Sequence, residues 1–188
     1  MQKVFRKKWY IISQYYYRMR FGSVGKNSII IKPVQLDHVR SIYLEENVFI
    51  AEGAWLLGNS EGEKVLSIKS KTTIGHYCHI VAKESVTIEE DVLIADKVFI
   101  TDCAHSYTNI NESVQQQKVK FLGPVVIGSG SWLGENVCVC GASIGKHCVI
   151  GANSVVNRDI PDYSVAVGAP ARVVKKFDFH NNTWIKVE

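Results

Sequence analysis

Aliphatic residues recur every six positions along most of this chain, and a narrow residue follows nine of them four positions later. The aliphatic register is Leu44, Ile50, Leu56, Ile68, Ile74, Ile80, Ile88, Ile94, Ile100, Ile127, Leu133, Val139, Ile144 and Ile150. The narrow positions are Val48, Ala54, Cys78, Val92, Val98, Ser131, Val137, Cys148 and Ser154. A helix repeats at 3.6 residues and a half-buried strand at 2, so a period of six indicates short strands separated by tight corners. Because one such unit cannot bury its own apolar face, the sequence predicts an all-β chain of stacked coils, a parallel β-helix.

The pattern divides the chain into three parts. Residues 22–158 form the predicted β-helix, with about five coils stacked about 4.8 Å apart. Residues 103–122 interrupt it with a long polar loop, and such a loop inside a compact repeat array is typical of a functional segment. Residues 159–188 leave the coil as a C-terminal extension, and residues 1–21 precede it.

Residues 1–21 combine basic residues with an aromatic centre, which allows two interpretations. A short helix could cap the open end of the solenoid, as repeat proteins require. A basic amphipathic helix could instead lie on an anionic membrane. The first interpretation is preferred here, because every solenoid needs its ends covered.

Composition narrows the class of protein. A length of 188 residues with 46% hydrophobic and 21% charged residues is ordinary for one soluble domain, and a net charge of +4 is too small to indicate nucleic acid as a partner. Five cysteines cannot all pair, which favours free thiols in a reducing compartment. Without an 18-residue apolar run or a signal peptide, we expect a cytoplasmic protein, with peripheral contact at the inner face of the membrane as the alternative.

Three segments carry a family resemblance: residues 127–134, 144–156 and 159–175. They read IGSGSWLG, IGKHCVIGANSVV and DIPDYSVAVGAPARVVK, and they resemble the hexapeptide-repeat acyltransferases, in particular the galactoside, maltose and polysaccharide O-acetyltransferase branch. The resemblance implies a left-handed β-helix, a homotrimer and acetyl-coenzyme A as acyl donor. The left hand comes from the resemblance alone, because other parallel crossovers are almost always right-handed.

His105 is the candidate catalytic base. Acyl transfer to a hydroxyl needs a group that accepts the hydroxyl proton at neutral pH, and imidazole suits that task. His105 follows the coil that ends at Ile100, at the root of the long loop, where the resembling enzymes carry their catalytic histidine. Asp102, three residues earlier, either orients the imidazole or ends the strand with a side-chain turn. Cys103 offers a third chemistry, a thiol nucleophile, which would need a lowered pKa.

The expected donor site lies in the C-terminal coils. Small residues leave room there for a pantetheine arm, and cations follow where phosphates would end. The residues that the resemblance assigns to cofactor binding are Trp132, Gly141, Ala142, Ala152, Asn157, Arg158, Arg172 and Lys175. No Cys or carboxylate pair completes a zinc site beside His76 and His79, so no metal is predicted.

The acceptor is the least determined part of the reaction. The C-terminal segment resembles that of O-acetyltransferases of capsule and lipopolysaccharide assembly, which implies a small-molecule or lipid-linked saccharide with an acceptor hydroxyl. Two alternatives stay open at this point. One is N-acetylation of an amino sugar, which the same base could serve, and the other is a non-catalytic β-helix scaffold or binding protein.

Overall fold

The chain is a parallel β-solenoid with the shape of a triangular prism. The computed structural model describes residues 12–59 and 61–187. Within them the backbone makes seven coils, which build three sheets, called A, B and C: each coil adds a short strand or an isolated bridge to sheets A and B, and the first six coils add a strand to sheet C. This confirms the predicted fold class.

Most strands of the three sheets have two or three residues. Sheet A contains β1 (Ser23–Val24), β4 (Ile42–Leu44), β7 (Leu66–Ile68), β10 (Val86–Ile88) and β15 (Val125–Ile127). Sheet B contains β2 (Ile29–Ile30), β5 (Phe49–Ile50), β8 (Thr73–Ile74), β11 (Leu93–Ile94), β16 (Trp132–Leu133), β18 (Val149–Ile150), β20 (Ser164–Val167), β21 (Arg172–Asp178) and β22 (Thr183–Lys186). Sheet C contains β3 (Gln35–Asp37), β6 (Trp55–Leu57), β9 (His79–Val81), β12 (Phe99–Thr101), β17 (Cys138–Cys140) and β19 (Val155–Val156).

Three elements stand outside the coil. The hairpin β13 (Cys103–His105) and β14 (Val119–Phe121) pairs antiparallel, and the 3-10 turns η1 (Val39–Ser41) and η2 (Val114–Gln116) lie in connections. Strands β20, β21 and β22 pair antiparallel at the C-terminal end of sheet B. The loop predicted over residues 103–122 is therefore an ordered hairpin.

The core is the interior of the prism. All fourteen aliphatic residues of the six-residue register are at most 1% exposed, and so are the nine narrow residues that follow them. Parallel pairing in register stacks each aliphatic on the next coil, as Ile50 and Ile74 show. Cys78 illustrates the narrow position: its Sγ donates to the carbonyl of Ala95 at 3.1 Å, and burial raises the pKa of this thiol to about 11.

The solenoid is longer than the sequence predicted. Residues 22–43 form a complete first coil, since β1, β2 and β3 each pair with the coil that follows. At the other end Ile160 bridges to Ile144 and β20 pairs parallel with β18, so the coil continues to Val167. The predicted boundary at residue 158 was wrong because a proline turn does not prevent the next strand from adding to the stack.

A helix, α1 (residues 12–20), covers the first coil. The side chain of Gln14 exchanges two hydrogen bonds with the backbone of Ile30, at 2.8 and 2.9 Å, and the buried ring of Phe21 joins the core. These contacts support the capping interpretation for this part of residues 1–21, while residues 1–11 lie outside the described residues. No helix in the described part of the chain is long and apolar enough to cross a bilayer.

Candidate active site

Three interruptions of the repeat meet along one edge of the prism. They are the connection from β6 to β7, the connection from β9 to β10 and the hairpin between β12 and β15. Each follows a strand of sheet C and precedes a strand of sheet A, so they stack at the edge called here the C–A edge. A hydrogen bond joins the first two connections: Nδ2 of Asn59 donates to the carbonyl of Lys83 at 3.1 Å. The repeat is therefore broken in several coils at the same place.

His105 lies on the hairpin at this edge. It is the last residue of β13 and stands opposite Val119 in β14, and the pairing continues where the Ser106 amide donates to the Lys118 carbonyl at 3.0 Å. The hairpin fixes the backbone of His105, and the side chain is exposed. A fixed backbone with an open imidazole is the arrangement that a general base requires.

Asp102 binds backbone amides through its carboxylate. Its carboxylate accepts three backbone N–H groups, from Lys83, Glu84 and Ser85, each at 2.7 Å. The residue is fully buried, and its own carbonyl accepts the amide of Leu122 at the far end of the hairpin. Three amides of the coil below occupy its carboxylate, which favours a structural role for Asp102 over the predicted catalytic one. Asp102 is a structural clamp between the β9–β10 connection and the hairpin root.

Replacing Asp102 with alanine should therefore cost stability. Three amides would lose a charged acceptor in a buried place. Hydrogen bonds to charged groups contribute about 1.5–3 kcal/mol each, but bonds to one shared acceptor are not additive and water can enter the space left by the side chain, so we expect a total loss of about 2–5 kcal/mol, below the sum of the three. Thermal unfolding should show it as a melting point lowered by about 5–15 °C. The control is Asp159→Ala, since that exposed carboxylate accepts a single backbone N–H, from Ser143 at 2.7 Å. Equal melting points for the two variants would contradict the clamp.

A cavity of about 610 Å³ opens between the hairpin and sheet C. It is called here the C–A cavity, and its lining residues are His38, Trp55, Leu57, Gly58, Asn59, Glu61, His79, Val81, Ala82, Lys83, Phe99, Thr101, Cys103, Ala104, His105 and Val119. Its floor is apolar and its rim is polar. A largely preformed cavity with a few polar groups is typical of a small-molecule site.

An aromatic column forms part of the floor. Trp55, His79 and Phe99 occupy the same outward position in consecutive strands of sheet C. The rings of Trp55 and His79 are stacked, with centroids 4.0 Å apart and planes 12° from parallel, and Phe99 lies 5.1 Å beyond His79. Burial lowers the pKa of His79, so this imidazole is neutral at neutral pH.

Two nitrogen atoms in this column are buried without a hydrogen-bond partner: Nε1 of Trp55 and Nε2 of His79. Buried polar groups are nearly always paired, and each exception calls for a bound group or a water molecule. Both atoms belong to residues that line the C–A cavity. They are the groups that a polar ligand or an ordered water molecule would satisfy there.

Cys103 is unsuited to nucleophilic chemistry. Burial raises the pKa of its thiol, and its Sγ lies 3.3 Å from the hydroxyl oxygen of Thr101. A nucleophilic cysteine needs a lowered pKa and a paired base. The environment of Cys103 therefore disfavours an acyl-enzyme there.

The residues predicted to bind the donor fall into two groups. Gly141, Asn157 and Arg158 follow β17 and β19, so they continue the C–A edge beyond the hairpin. Gly141 has a φ of +57°, and a Cβ there would lie 2.5 Å from Cβ of Leu122 in the hairpin root. Ala142 belongs to the core at 2% exposure, which disfavours the predicted contact of its side chain with the donor.

The second group lies on sheet B and at its far end. Trp132 is 48% exposed in β16, and Ala152 is exposed directly after β18. Arg172 and Lys175 are exposed on β21, and Lys175 stands directly opposite Lys186 of β22. Like charges opposite each other across strands are unfavourable unless an anion lies between them. The two groups therefore occupy different faces of one chain.

Within residues 12–59 and 61–187, no group of three or more His, Cys, Asp or Glu side chains is arranged to hold a metal ion.

The C–A cavity was not predicted from the sequence. Trp55, His79 and Phe99 each precede an inward aliphatic of the register, and this shared offset is the signal that could have placed them in one column. His38 and Asn59 carry no comparable signal, because their position depends on how the connections stack.

Comparison with known proteins places these features in a wider group. A family model described as bacterial transferase hexapeptide (six repeats) matches residues 124–158. The chain is 37% identical over 169 residues to WbbJ of Escherichia coli K12, described as a lipopolysaccharide biosynthesis O-acetyl transferase, with 86% of this chain and 85% of WbbJ covered. It is 30% identical over 153 residues to the galactoside O-acetyltransferase of the same organism, with 78% and 72% covered.

A solved structure shares the fold. It is a mutant of AntD, an N-acyltransferase from Bacillus cereus, in complex with dTDP and coenzyme A. The TM-score is 0.75 at 22% identity, and the superposition covers 89% of this chain and 90% of AntD. At that identity the likeness concerns the fold alone.

Proposed function

The chain belongs to the hexapeptide-repeat acetyltransferases, and we propose that it transfers the acetyl group of acetyl-coenzyme A to a hydroxyl of a saccharide. The observation that carries this proposal is the position of His105 on the wall of the C–A cavity. The apolar floor and polar rim of this cavity suit a sugar, which presents C–H faces and a ring of hydroxyls.

In the proposed reaction His105 acts as general base. Its imidazole accepts the proton of the acceptor hydroxyl as the oxygen attacks the acetyl carbonyl, and the same proton then neutralises the departing thiolate. Acetyl-coenzyme A supplies the activated thioester. The sum is a saccharide ester and free coenzyme A, and no group remains on the protein. Trp55 and His79 would pair their buried nitrogens with acceptor oxygens or with water.

The donor site is proposed to lie between two chains. In one chain the donor residues at the C–A edge and those on sheet B face different directions, so a second copy must bring one group toward the other. A flat face buries a ligand only where another surface closes the groove. Closed threefold symmetry would give three equal sites, so the proposed assembly is a homotrimer.

Arg172 and Lys175 are proposed to bind the phosphates of the donor. None of the ion pairs in the described residues involves either side chain or Lys186. We expect the double variant Arg172→Ala/Lys175→Ala to raise the Kd of acetyl-coenzyme A by about tenfold or more, because each charge-assisted hydrogen bond contributes about 1.5–3 kcal/mol before screening. Added salt should weaken binding to the wild-type protein. Calorimetric titration measures both effects.

A matched control removes the same charge elsewhere. Lys71→Ala/Lys97→Ala replaces two exposed lysines on corners of the middle coils. If this control changes the Kd as much as the Arg172/Lys175 variant does, the effect is one of net charge and the assigned phosphate contacts are wrong.

The acceptor is proposed to be a small-molecule or lipid-linked saccharide of surface-polysaccharide assembly, which the similarity to WbbJ favours. Because the donor is a cytoplasmic metabolite, the reaction would occur on the cytoplasmic side.

Thiol release from acetyl-coenzyme A, measured with a panel of sugars and their amino counterparts, tests the proposal. We expect release to depend on a hydroxyl acceptor. Release with amino sugars alone would favour N-acylation, the activity named for AntD, and a lack of response to any saccharide would remove the proposed acceptor class.

A further inference from the structure

Charge is distributed very unevenly along this chain. Eight of the 22 Lys and Arg residues lie in residues 1–36, and none of the 18 Asp and Glu residues does. That segment therefore carries a net charge of +8, and the remainder of the chain carries −4. In the described part of this segment, α1 and the first coil hold Arg18, Arg20, Lys26 and Lys32 and no carboxylate, so this end of the solenoid is attracted to an anionic surface.

The cap helix α1 has two apolar faces. One face holds Gln14 and Tyr17 against the first coil, and burial raises the pKa of the Tyr17 hydroxyl. The opposite face holds Ile12, Tyr15, Tyr16 and Met19, which follow the i, i+3, i+4, i+7 spacing of a single helical stripe. Their exposed fractions run from 49% for Tyr16 to 67% for Tyr15. Capping the solenoid accounts for the first face and leaves the second without a function.

We propose that this exposed stripe of α1 lies on the surface of an anionic lipid bilayer. The occupant follows from charge complementarity: Arg18 and Arg20 stand exposed beside the stripe, and the surrounding 36 residues contain no carboxylate to repel acidic headgroups. A helix with aromatic and aliphatic residues on one face and basic residues beside them binds in the interfacial plane of such membranes. Tyrosine suits that depth because its ring is apolar and its hydroxyl polar.

The location of the stripe would bring a membrane close to the C–A cavity. The cavity begins at His38, directly after the last strand of the first coil, and reaches His105 after the fourth coil. Coils stack about 4.8 Å apart, so His105 lies roughly 15 Å along the axis from the coil that α1 covers. A saccharide carried on a lipid anchored in that membrane would come within reach of the cavity. This last point rests on the proposed function, whereas the membrane contact itself does not.

Vesicle sedimentation tests the contact. We expect the full chain to pellet with sucrose-loaded vesicles of phosphatidylcholine and phosphatidylglycerol, and to stay in solution with phosphatidylcholine alone. The variant Ile12→Ser/Tyr15→Ser/Met19→Ser should lower the partition coefficient at least tenfold, since each side chain loses apolar area. The variant Arg18→Gln/Arg20→Gln should lower it by about 5- to 30-fold, because each basic residue near an anionic surface contributes at most about fivefold.

The control Lys71→Gln/Lys97→Gln removes two charges from the acidic part of the chain and should leave partitioning unchanged. Equal binding by all three variants, or no binding to anionic vesicles, would overturn the proposal. A third outcome would also overturn it: the wild-type protein does not bind vesicles, and the serine variant has a lower oligomer mass in light scattering. The stripe would then be a contact between copies of the chain. Vesicle binding without acetyl transfer would contradict only the proposed function, and acetylation of a soluble acceptor without vesicle binding would contradict only the membrane contact.

Discussion

The His105→Ala variant should bind acetyl-coenzyme A as the wild-type protein does while its turnover falls by about 10²–10⁴, the usual contribution of a general base. The physical reason is that the imidazole takes part only when the acceptor hydroxyl loses its proton. Removing it leaves the donor contacts of the C-terminal coils in place. The measurement pairs thiol release at saturating donor and acceptor with a calorimetric Kd for the donor.

His180→Ala is the matched control, because that imidazole is exposed in the C-terminal extension, away from the C–A cavity. Its turnover should equal that of the wild-type protein. If His105→Ala acetylates its acceptor at the wild-type rate, another group is the base, and His79 becomes the next candidate because it lines the same cavity.

Removing the hairpin should abolish activity and leave the solenoid folded. The change is a deletion of residues 103–122 with a short glycine linker from Asp102 to Gly123. The buried core passes from Ile100 directly to Val125, so the deletion takes no residue from it. The lost segment holds His105 and the exposed apolar side chains of Tyr107 and Ile110, at 77% and 93% exposure, which are placed to reach a neighbouring chain. Circular dichroism and thiol release measure the two outcomes.

Light scattering of these proteins reports on assembly. Light scattering should give three chains of 21.1 kDa for the wild-type protein, and His105→Ala should keep that mass, so loss of the base is separable from loss of the hairpin. A full-length protein that is a stable monomer with full activity would rule out a donor site shared between chains. A deletion variant that unfolds would show that the hairpin, through its contacts with Asp102 and Gly141, is needed for the solenoid.

The sequence predicted the interior of the fold and missed part of its length. A six-residue period places one aliphatic on each sheet, and stacking depends only on that spacing, so residues from Leu44 to Ile150 could be placed without a structure. The last coil was missed because its hexads are imperfect, as at Ile160, where the strand is reduced to a bridge. The period does not determine the hand of the coil, which followed from the family resemblance.

Site residues could be predicted only where their position depends on residues nearby in the sequence. His105 could be found because it follows a coil in register. The contacts of Asp102 could not be predicted, because its carboxylate binds amides 17 to 19 residues earlier in the chain, and that contact exists only once the coils stack. The cavity depends on the same stacking, since it brings the connections after β6 and β9 beside the hairpin.

The most direct test of the account is the fate of a labelled acetyl group. The wild-type protein and His105→Ala would be incubated with acetyl-coenzyme A labelled in the acetyl group and with the saccharide that best stimulates thiol release, and the product treated with mild alkali. The account predicts labelled saccharide that loses its label in alkali, as an ester does, and almost none with His105→Ala. Label that resists alkali, as an amide does, or equal product from both proteins would contradict it.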